Sequence, residues 1–269
     1  MENKLVVITG ASSGIGKSCA FEFAKNNYNV ILVARSEDIL KQICKEIKNN
    51  RIIVTYKALD ITREESCKKM MSEIIKEYNK IDILINNAGI SEKVLFETVD
   101  LKITKKIMET NFWGTVYCTK YALSNLIKTK GSVIFVSSIA GFKGIPGRTG
   151  YSASKYAVQG FLEALRIENL KKSLHILIAY PDYTSTNIRF NAIDSSGKPQ
   201  GKTPRNENIM MTPDYVAKKI FYAYQKKKNS IIISKNFSFK LIKILNLFFP
   251  RIIDNIILKT VGSEPDSPF

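Results

Sequence analysis

Short apolar runs punctuate this chain, and between them the apolar positions fall at helical spacing. The runs cover residues 5–8, 29–34, 52–58, 81–85, 132–136, 174–179 and 230–234. Rich in β-branched residues and without strict alternation, they predict strands buried on both faces of a parallel sheet. The segments 17–25, 36–48, 63–78, 101–126, 151–171 and 213–226 predict helices. Strand and helix alternate throughout, which predicts an α/β domain: a doubly wound, mostly parallel seven-stranded sheet with helices on both faces. No repeat, low-complexity tract or linker divides it. One domain is expected over residues 1–234, followed by a helical extension at 235–269.

Two junctions carry candidate chemistry. The first run leads into Thr9-Gly10-Ala11-Ser12-Ser13-Gly14-Ile15-Gly16, a glycine-rich turn that opens a helix. There, backbone N–H groups and a helix N-terminus can meet a pyrophosphate. The spacing is G-x-x-x-G-x-G, not the commoner G-x-G-x-x-G. The second is Tyr151-Ser152-Ala153-Ser154-Lys155, with Ser138 upstream. Residues four apart share a helix face. An ammonium beside a phenol lowers the phenol's pKa from about 10 toward neutrality. Tyr151 then suits general acid/base work on a carbonyl or alcohol, and a nearby serine can hold the same oxygen. Such a tyrosine–lysine spacing is common in helices; the upstream turn gives it weight.

With Asn86-Asn87-Ala88-Gly89 and Asn111-Phe112-Trp113-Gly114 added, four blocks in order make the chain resemble the short-chain dehydrogenase/reductase family over residues 4 to 234. The resemblance implies a Rossmann-like, NADP-binding catalytic domain and a catalytic set of Ser138, Tyr151, Lys155 and Asn111. It implies that Gly10, Ser12, Ser13, Gly14, Ile15 and Gly16 hold the cofactor phosphates and that Asn87, Ala88 and Gly89 line its path. By the same resemblance Asp60 and Ile61 hold the adenine, while Pro181, Thr184 and Thr186 cover the nicotinamide. It also implies hydride transfer to a carbonyl carbon with Tyr151 protonating the oxygen and Ser138 holding it. Lys155 would lower the tyrosine pKa and bind the nicotinamide ribose, and Asn111 would hold a water that relays protons to Lys155.

Cofactor choice is read at the end of the second strand. An acid there would accept from a ribose 2′-hydroxyl, but the sequence offers Ala34-Arg35-Ser36. Arg35 suits a 2′-phosphate and so NADPH, and the expected direction is reduction of a ketone. Relatives carry Pro-Gly where this chain has Pro181-Asp182, which leaves that loop's backbone open. The Pro-Asp variant resembles the 3-ketodihydrosphingosine reductases, so a lipid ketone is the expected substrate. The alternatives are a 3-oxoacyl or general ketone reductase acting on soluble substrates and a non-catalytic NADP-binding sensor. Residues 187–211 form a lid loop whose Arg189, Lys198, Lys202 and Arg205 could meet an anionic headgroup or acyl carrier, or simply be solvated.

Beyond the domain, residues 237–249 cluster Phe, Leu and Ile beside Lys240 and Lys243, and 252–258 resume after Pro250. Thirteen residues are too few to span a bilayer. They suit an interfacial helix on a membrane surface, or a helix pair packed on the domain or a second subunit. The 269 residues carry a net charge of +17, but no nucleic-acid-binding signature accompanies it, and no nucleic-acid partner is expected. Cys19, Cys44, Cys67 and Cys118 form no C-x-x-C pair and read as free thiols, and the single His175 cannot build a ligand cluster, so no metal is expected. The first strand starts at once, leaving no signal peptide; a cytoplasmic homodimer or homotetramer is expected, peripheral at the inner membrane face if 237–258 bind lipid.

Overall fold

The computed structural model of this chain describes residues 3–203, 209–235, 242 and 245–263. The apolar runs become β1 (Leu5–Thr9), β2 (Asn29–Ala34), β3 (Val54–Ala58), β4 (Ile83–Asn86), β5 (Ser132–Val136), β6 (His175–Pro181) and β7 (Ser230–Ile233). They form one sheet in the order β3-β2-β1-β4-β5-β6-β7, with every neighbouring pair parallel. The helices are α1 (Gly14–Lys25), α2 (Glu37–Glu46), α3 (Glu64–Tyr78), α4 (Leu101–Met108), α5 (Gly114–Lys128), α6 (Thr149–Glu168), α7 (Asn187–Phe190), α8 (Pro213–Gln225) and α9 (Pro250–Gly262). This is a Rossmann-like, doubly wound fold.

Alternation along each strand sorts its residues between two cores. Val6, Ile8, Val30, Leu32, Ile83 and Ile85 face the layer of α1, α2 and α8, where Phe23 packs edge-on against Phe221. Leu5, Val7, Ile31, Val33, Leu84 and Phe135 face α3, α5 and α6 through Met70, Leu126, Val158 and Leu162. Both sheet faces are covered, which is why these strands read as unbroken apolar runs. Each fully buried aliphatic side chain contributes about 1.5–3 kcal/mol.

One helical stretch departs from expectation. The single helix anticipated over 101–126 is α4, a π-helical turn at Glu109–Trp113, and then α5. Within the turn the Gly114 N–H bonds the Glu109 carbonyl, five residues back. The extra residue re-aims Asn111 into the interior, where it is fully buried. Of the apolar stretch 237–249, only Ile242 and residues 245–249 lie within the described residues; residues 252–258 fall inside α9.

The sheet order reverses direction between β1 and β4. The loops leaving their carboxyl ends diverge there and open a crevice, the usual ligand position in such sheets. A cleft of about 1790 Å³ runs from that point to the C-terminal helix.

Candidate active site

At one end of the cleft lies the glycine-rich turn. Gly10 and Gly14 adopt left-handed φ of 65° and 54°. A methyl on Gly10 would stand 2.7 Å from the Ala88 Cα, so only glycine lets the two loops touch. Thr9 ties them together: its Oγ1 accepts from the N–H groups of Asn87 (3.1 Å) and Ala88 (3.2 Å). Asn87 Nδ2 returns bonds to the carbonyls of Thr9 and Gly10, both at 3.1 Å. Gly10, Ser12, Ser13, Gly14, Ile15, Asn87, Ala88 and Gly89 line the groove, while Gly16 is buried beneath it in α1. A bare backbone cradle at the N-terminus of α1, with no acidic side chain in its first turn, fits a pyrophosphate.

Arg35 is exposed and lines the groove after β2, next to Ser36. Asp60 and Ile61 line it beyond β3. Asp60 Oδ1 is engaged by the Thr62 N–H and hydroxyl, both at 3.0 Å. Ile61 is pressed close by α5, since a methyl on Gly114 would stand 2.6 Å from its Cδ1.

Midway along the cleft the four candidate reacting residues converge. Ser138 leaves β5, and its hydroxyl is hydrogen-bonded to the Tyr151 phenol. Tyr151 and Lys155 lie one turn apart on α6, 6% and 2% exposed. Lys155 Nζ donates to the Val136 carbonyl at 3.0 Å and stands 4.6 Å from the Phe135 ring centre and 5.7 Å from that of Tyr151. Burial pushes the Lys155 pKa down to about 7. Burial likewise raises the Tyr151 phenol; Ser138 and the guanidiniums of Arg148 and Arg189 oppose that rise. The opposing effects come from the Ser138 hydrogen bond and the charges of Arg148 and Arg189, and burial outweighs them, so the phenol stays above its ordinary value.

The Asn111 side chain is fully engaged. Its Oδ1 accepts from the Ile90 N–H (2.8 Å), and its Nδ2 donates to the Ile90 carbonyl (3.0 Å) and Ser154 Oγ (2.9 Å). Ser154 Oγ in turn donates to the Tyr151 carbonyl at 2.7 Å. The side chain thus brackets α6 against the Gly89–Ile90 loop. Gly89 keeps this corner open, since a methyl there would stand 3.1 Å from Asn111 Oδ1 and 3.6 Å from Lys155 Nζ.

The Pro181-Asp182 departure has a plain structural answer. Asp182 does not adopt a positive φ, so glycine is not required. Its Oδ1 accepts from the Tyr183 N–H (2.7 Å) and its Oδ2 from Ser234 Oγ (2.8 Å), fixing the loop. Thr184 Oγ1 donates to the Asp182 carbonyl at 2.8 Å, and Thr186 precedes α7 and faces Gly14. Pro181, Thr184 and Thr186 all line the cleft.

In the lid, Arg189 is buried: its Nη1 donates to the Met210 sulfur at 3.0 Å and its guanidinium stacks 4.7 Å over Tyr183. Lys198 and Lys202 are exposed, and Lys202 lines the cleft; Arg205 lies outside the described residues. The far wall is aliphatic. Ile242, Leu245, Ile253, Ile257 and Val261 supply it, and Lys143 pins the segment through Asp254 on α9 and Asn246 just before α9, each at 2.6 Å. Sequence reasoning missed Thr9, Glu92 and Arg148 as site residues; each acts through contacts made only on folding.

The chain belongs to the short-chain dehydrogenase family, whose model matches residues 4–196. Its members are oxidoreductases that interconvert alcohols and carbonyls with a nicotinamide cofactor. The chain is 34% identical to a dehydrogenase/reductase SDR family protein 7-like from Drosophila melanogaster over 239 residues, 87% of this chain and 73% of that protein. It is 39% identical to an 11-beta-hydroxysteroid dehydrogenase from Pinus massoniana over 193 residues, covering 70% of this chain and 53% of the pine protein. Among solved structures, an alcohol dehydrogenase from Thermococcus sibiricus complexed with 5-hydroxy-NADP superposes with a TM-score of 0.74 at 24% identity, covering 86% of this chain and 96% of that one. A short-chain dehydrogenase/reductase from Burkholderia phymatum in complex with NAD gives 0.76 at 18% identity, covering 86% and 89%. These two likenesses establish the fold.

Proposed function

We propose that this protein is an NADPH-dependent reductase that converts a ketone on an apolar, lipid-like molecule to the alcohol. The observation that carries this reading is the cleft itself. Ser138 and Tyr151 stand at its middle, a basic phosphate-suited groove lies at one end, and an aliphatic wall from α9 lies at the other. A reduced nicotinamide, when held by the Gly10–Gly14 turn and Asn87 to Gly89, would supply the hydride. The Ser138 hydroxyl donates to the substrate oxygen, and Tyr151 transfers its phenolic proton to that oxygen as the C–H bond forms. Lys155, with a pKa near 7, exists in both protonation states at neutral pH and can return a proton to the phenolate. Asn111 and Ser154 hold α6 in place for this exchange.

Arg35, with no acid beside it on β2, supports NADPH over NADH. The guanidiniums of Arg148 and Arg189 near Tyr151 support a substrate whose polar end is neutral or acidic rather than a long-chain amino ketone such as 3-ketosphinganine. Likeness to a protein named for hydroxysteroid dehydrogenation supports an apolar substrate. The exposed row Leu247, Phe248, Phe249 and Ile252, with Arg251 and Lys259 nearby, supports uptake from an anionic membrane surface. Among the described residues no helix is long and apolar enough to cross a membrane. Exposed Trp113, Tyr156 and Ile167 support a homo-oligomer formed through α5 and α6.

A second reading, reduction of a soluble 3-oxoacyl thioester, is supported by Lys202 at the cleft edge, which could meet an acidic carrier. NADPH oxidation measured over ketones of graded chain length, with 3-ketosphinganine and 3-oxoacyl thioesters included, separates these readings. Turnover that rises with chain length for free lipid ketones supports the first. Replacing Tyr151→Phe should lower kcat by about 10²–10⁴-fold with cofactor binding retained. A variant keeping more than about a tenth of wild-type kcat would remove Tyr151 as proton donor and reopen the reading of a sensor.

A further inference from the structure

A buried acid stands beside α6 and takes no part in the proton transfer drawn above. Glu92 lies in the loop after β4 and is 1% exposed. Its Oε1 accepts from the N–H of Gly150 at 2.5 Å and of Tyr151 at 3.1 Å. These are donors that the first turn of a helix leaves unpaired. The residue preceding α6, Arg148, supplies no side-chain cap. Gly150 admits the carboxylate: a methyl there would stand 3.1 Å from Oε1, 3.2 Å from Oε2 and 3.1 Å from Thr104 Cγ2 on α4. The same loop is joined to the lid. The Ile193 N–H donates to the Ser91 carbonyl and the Lys93 N–H to the Ile193 carbonyl, both at 2.9 Å. Arg148 Nη1 closes the corner on Ser91 Oγ at 2.9 Å.

We propose that Glu92 is a positioning residue for the reduction: it fixes the first turn of α6, and with it Tyr151, in register with the lid at Ile193. This rests on the reading of Tyr151 as the proton donor. Tyr151 is the third residue of α6 and so lies where an uncapped helix frays. A reacting group displaced by about 1 Å can lose on the order of 10²-fold in rate. A neutral Ser, Thr or Asn would satisfy a helix start without burying charge. Here a carboxylate is kept although its Oε2 is buried with no partner among the described residues. Burial accordingly raises its pKa, against the pull of the two N–H groups and Arg148. What the carboxylate adds is reach: from a separate loop it spans to α6 while its own backbone holds the lid.

The test uses the full chain with Glu92→Ala, Glu92→Gln and Gly150→Ala. Glu92→Ala should lower kcat at least about tenfold while the Kd for NADPH changes less than about twofold. Amide exchange at Gly150 and Tyr151, measured without substrate, should accelerate in the same variant. Glu92→Gln keeps an acceptor at Oε1 and should restore most of both losses. Gly150→Ala crowds the carboxylate without removing it and should reproduce the kcat loss, which carries the comparison if Glu92→Ala does not fold. A lower melting temperature with unchanged kcat, or equal losses of kcat and NADPH affinity, would overturn the proposal. So would unchanged exchange at Gly150 and Tyr151. A wild-type protein that reduces no ketone, with exchange at Gly150 and Tyr151 still accelerated by Glu92→Ala, would sink the reductase reading and leave the cap standing.

Discussion

Lys155 spends its folded life out of water, and that has a measurable cost. Its pKa falls from 10.5 to about 7 on burial, so the folded protein releases a proton that the unfolded chain keeps. Unfolding free energy therefore rises with pH between about 7 and 10.5 wherever Lys155 dominates. Buried thiols act in the opposite sense at the alkaline end, since burial raises Cys19 to about 12. The clean comparison is wild type against Lys155→Met in urea unfolding from neutral pH to about 9. The wild type should gain stability with pH and the variant should lack that gain; parallel curves would mean the ammonium is not desolvated as described. Arg35 makes a second residue-scale prediction. Arg35→Ala should weaken NADPH by about 1.5–3 kcal/mol and leave NADH unchanged. Equal losses would mean the guanidinium does not read the 2′-phosphate. Both side chains were visible in the sequence because their chemistry sits at strand ends and helix faces. Glu92 was not, since Ser91-Glu92-Lys93 reads as a solvated loop until Gly150 arrives from 58 residues away.

At the level of elements, the central strands β1, β4, β5 and β6 were legible because they are buried on two faces, leaving few polar positions to blur the run, whereas the edge strands β3 and β7 are only partly buried. The π-turn at Glu109–Trp113 was not legible, because helical spacing on either side of it is intact and only the register between them slips. The backbone of the loop at Asp182 could not be read from the sequence for a related reason. Asparagine and aspartate are usually read through their tolerance of left-handed backbone, whereas here the carboxylate works by accepting from Tyr183 and Ser234. Helix α9 has two apolar faces, one against the cleft and one outward. Separating them gives a sharper test than removing the segment, which would also strip the cleft wall. Phe248→Ser with Ile252→Ser changes only exposed positions. Flotation with anionic liposomes should be lost while NADPH binding and turnover of a short ketone are kept. Unaltered flotation would place the membrane contact elsewhere or nowhere, and a shift from dimer to monomer would make that face a subunit contact.

Across the whole molecule, the glycine-rich turn, Asn87 to Gly89, Ser138 and Pro181 all lie at the carboxyl ends of strands of one sheet, while the aliphatic wall at the far end of the cleft comes from Ile242, Leu245 and α9. That division follows from the aliphatic wall described at α9. Heredity sees the same seam. Substitutions at Ile253, Ile257 and Val261 would reshape that wall while Ser138, Tyr151 and Lys155 stay untouched, so one inherited engine can be fitted with many different mouths.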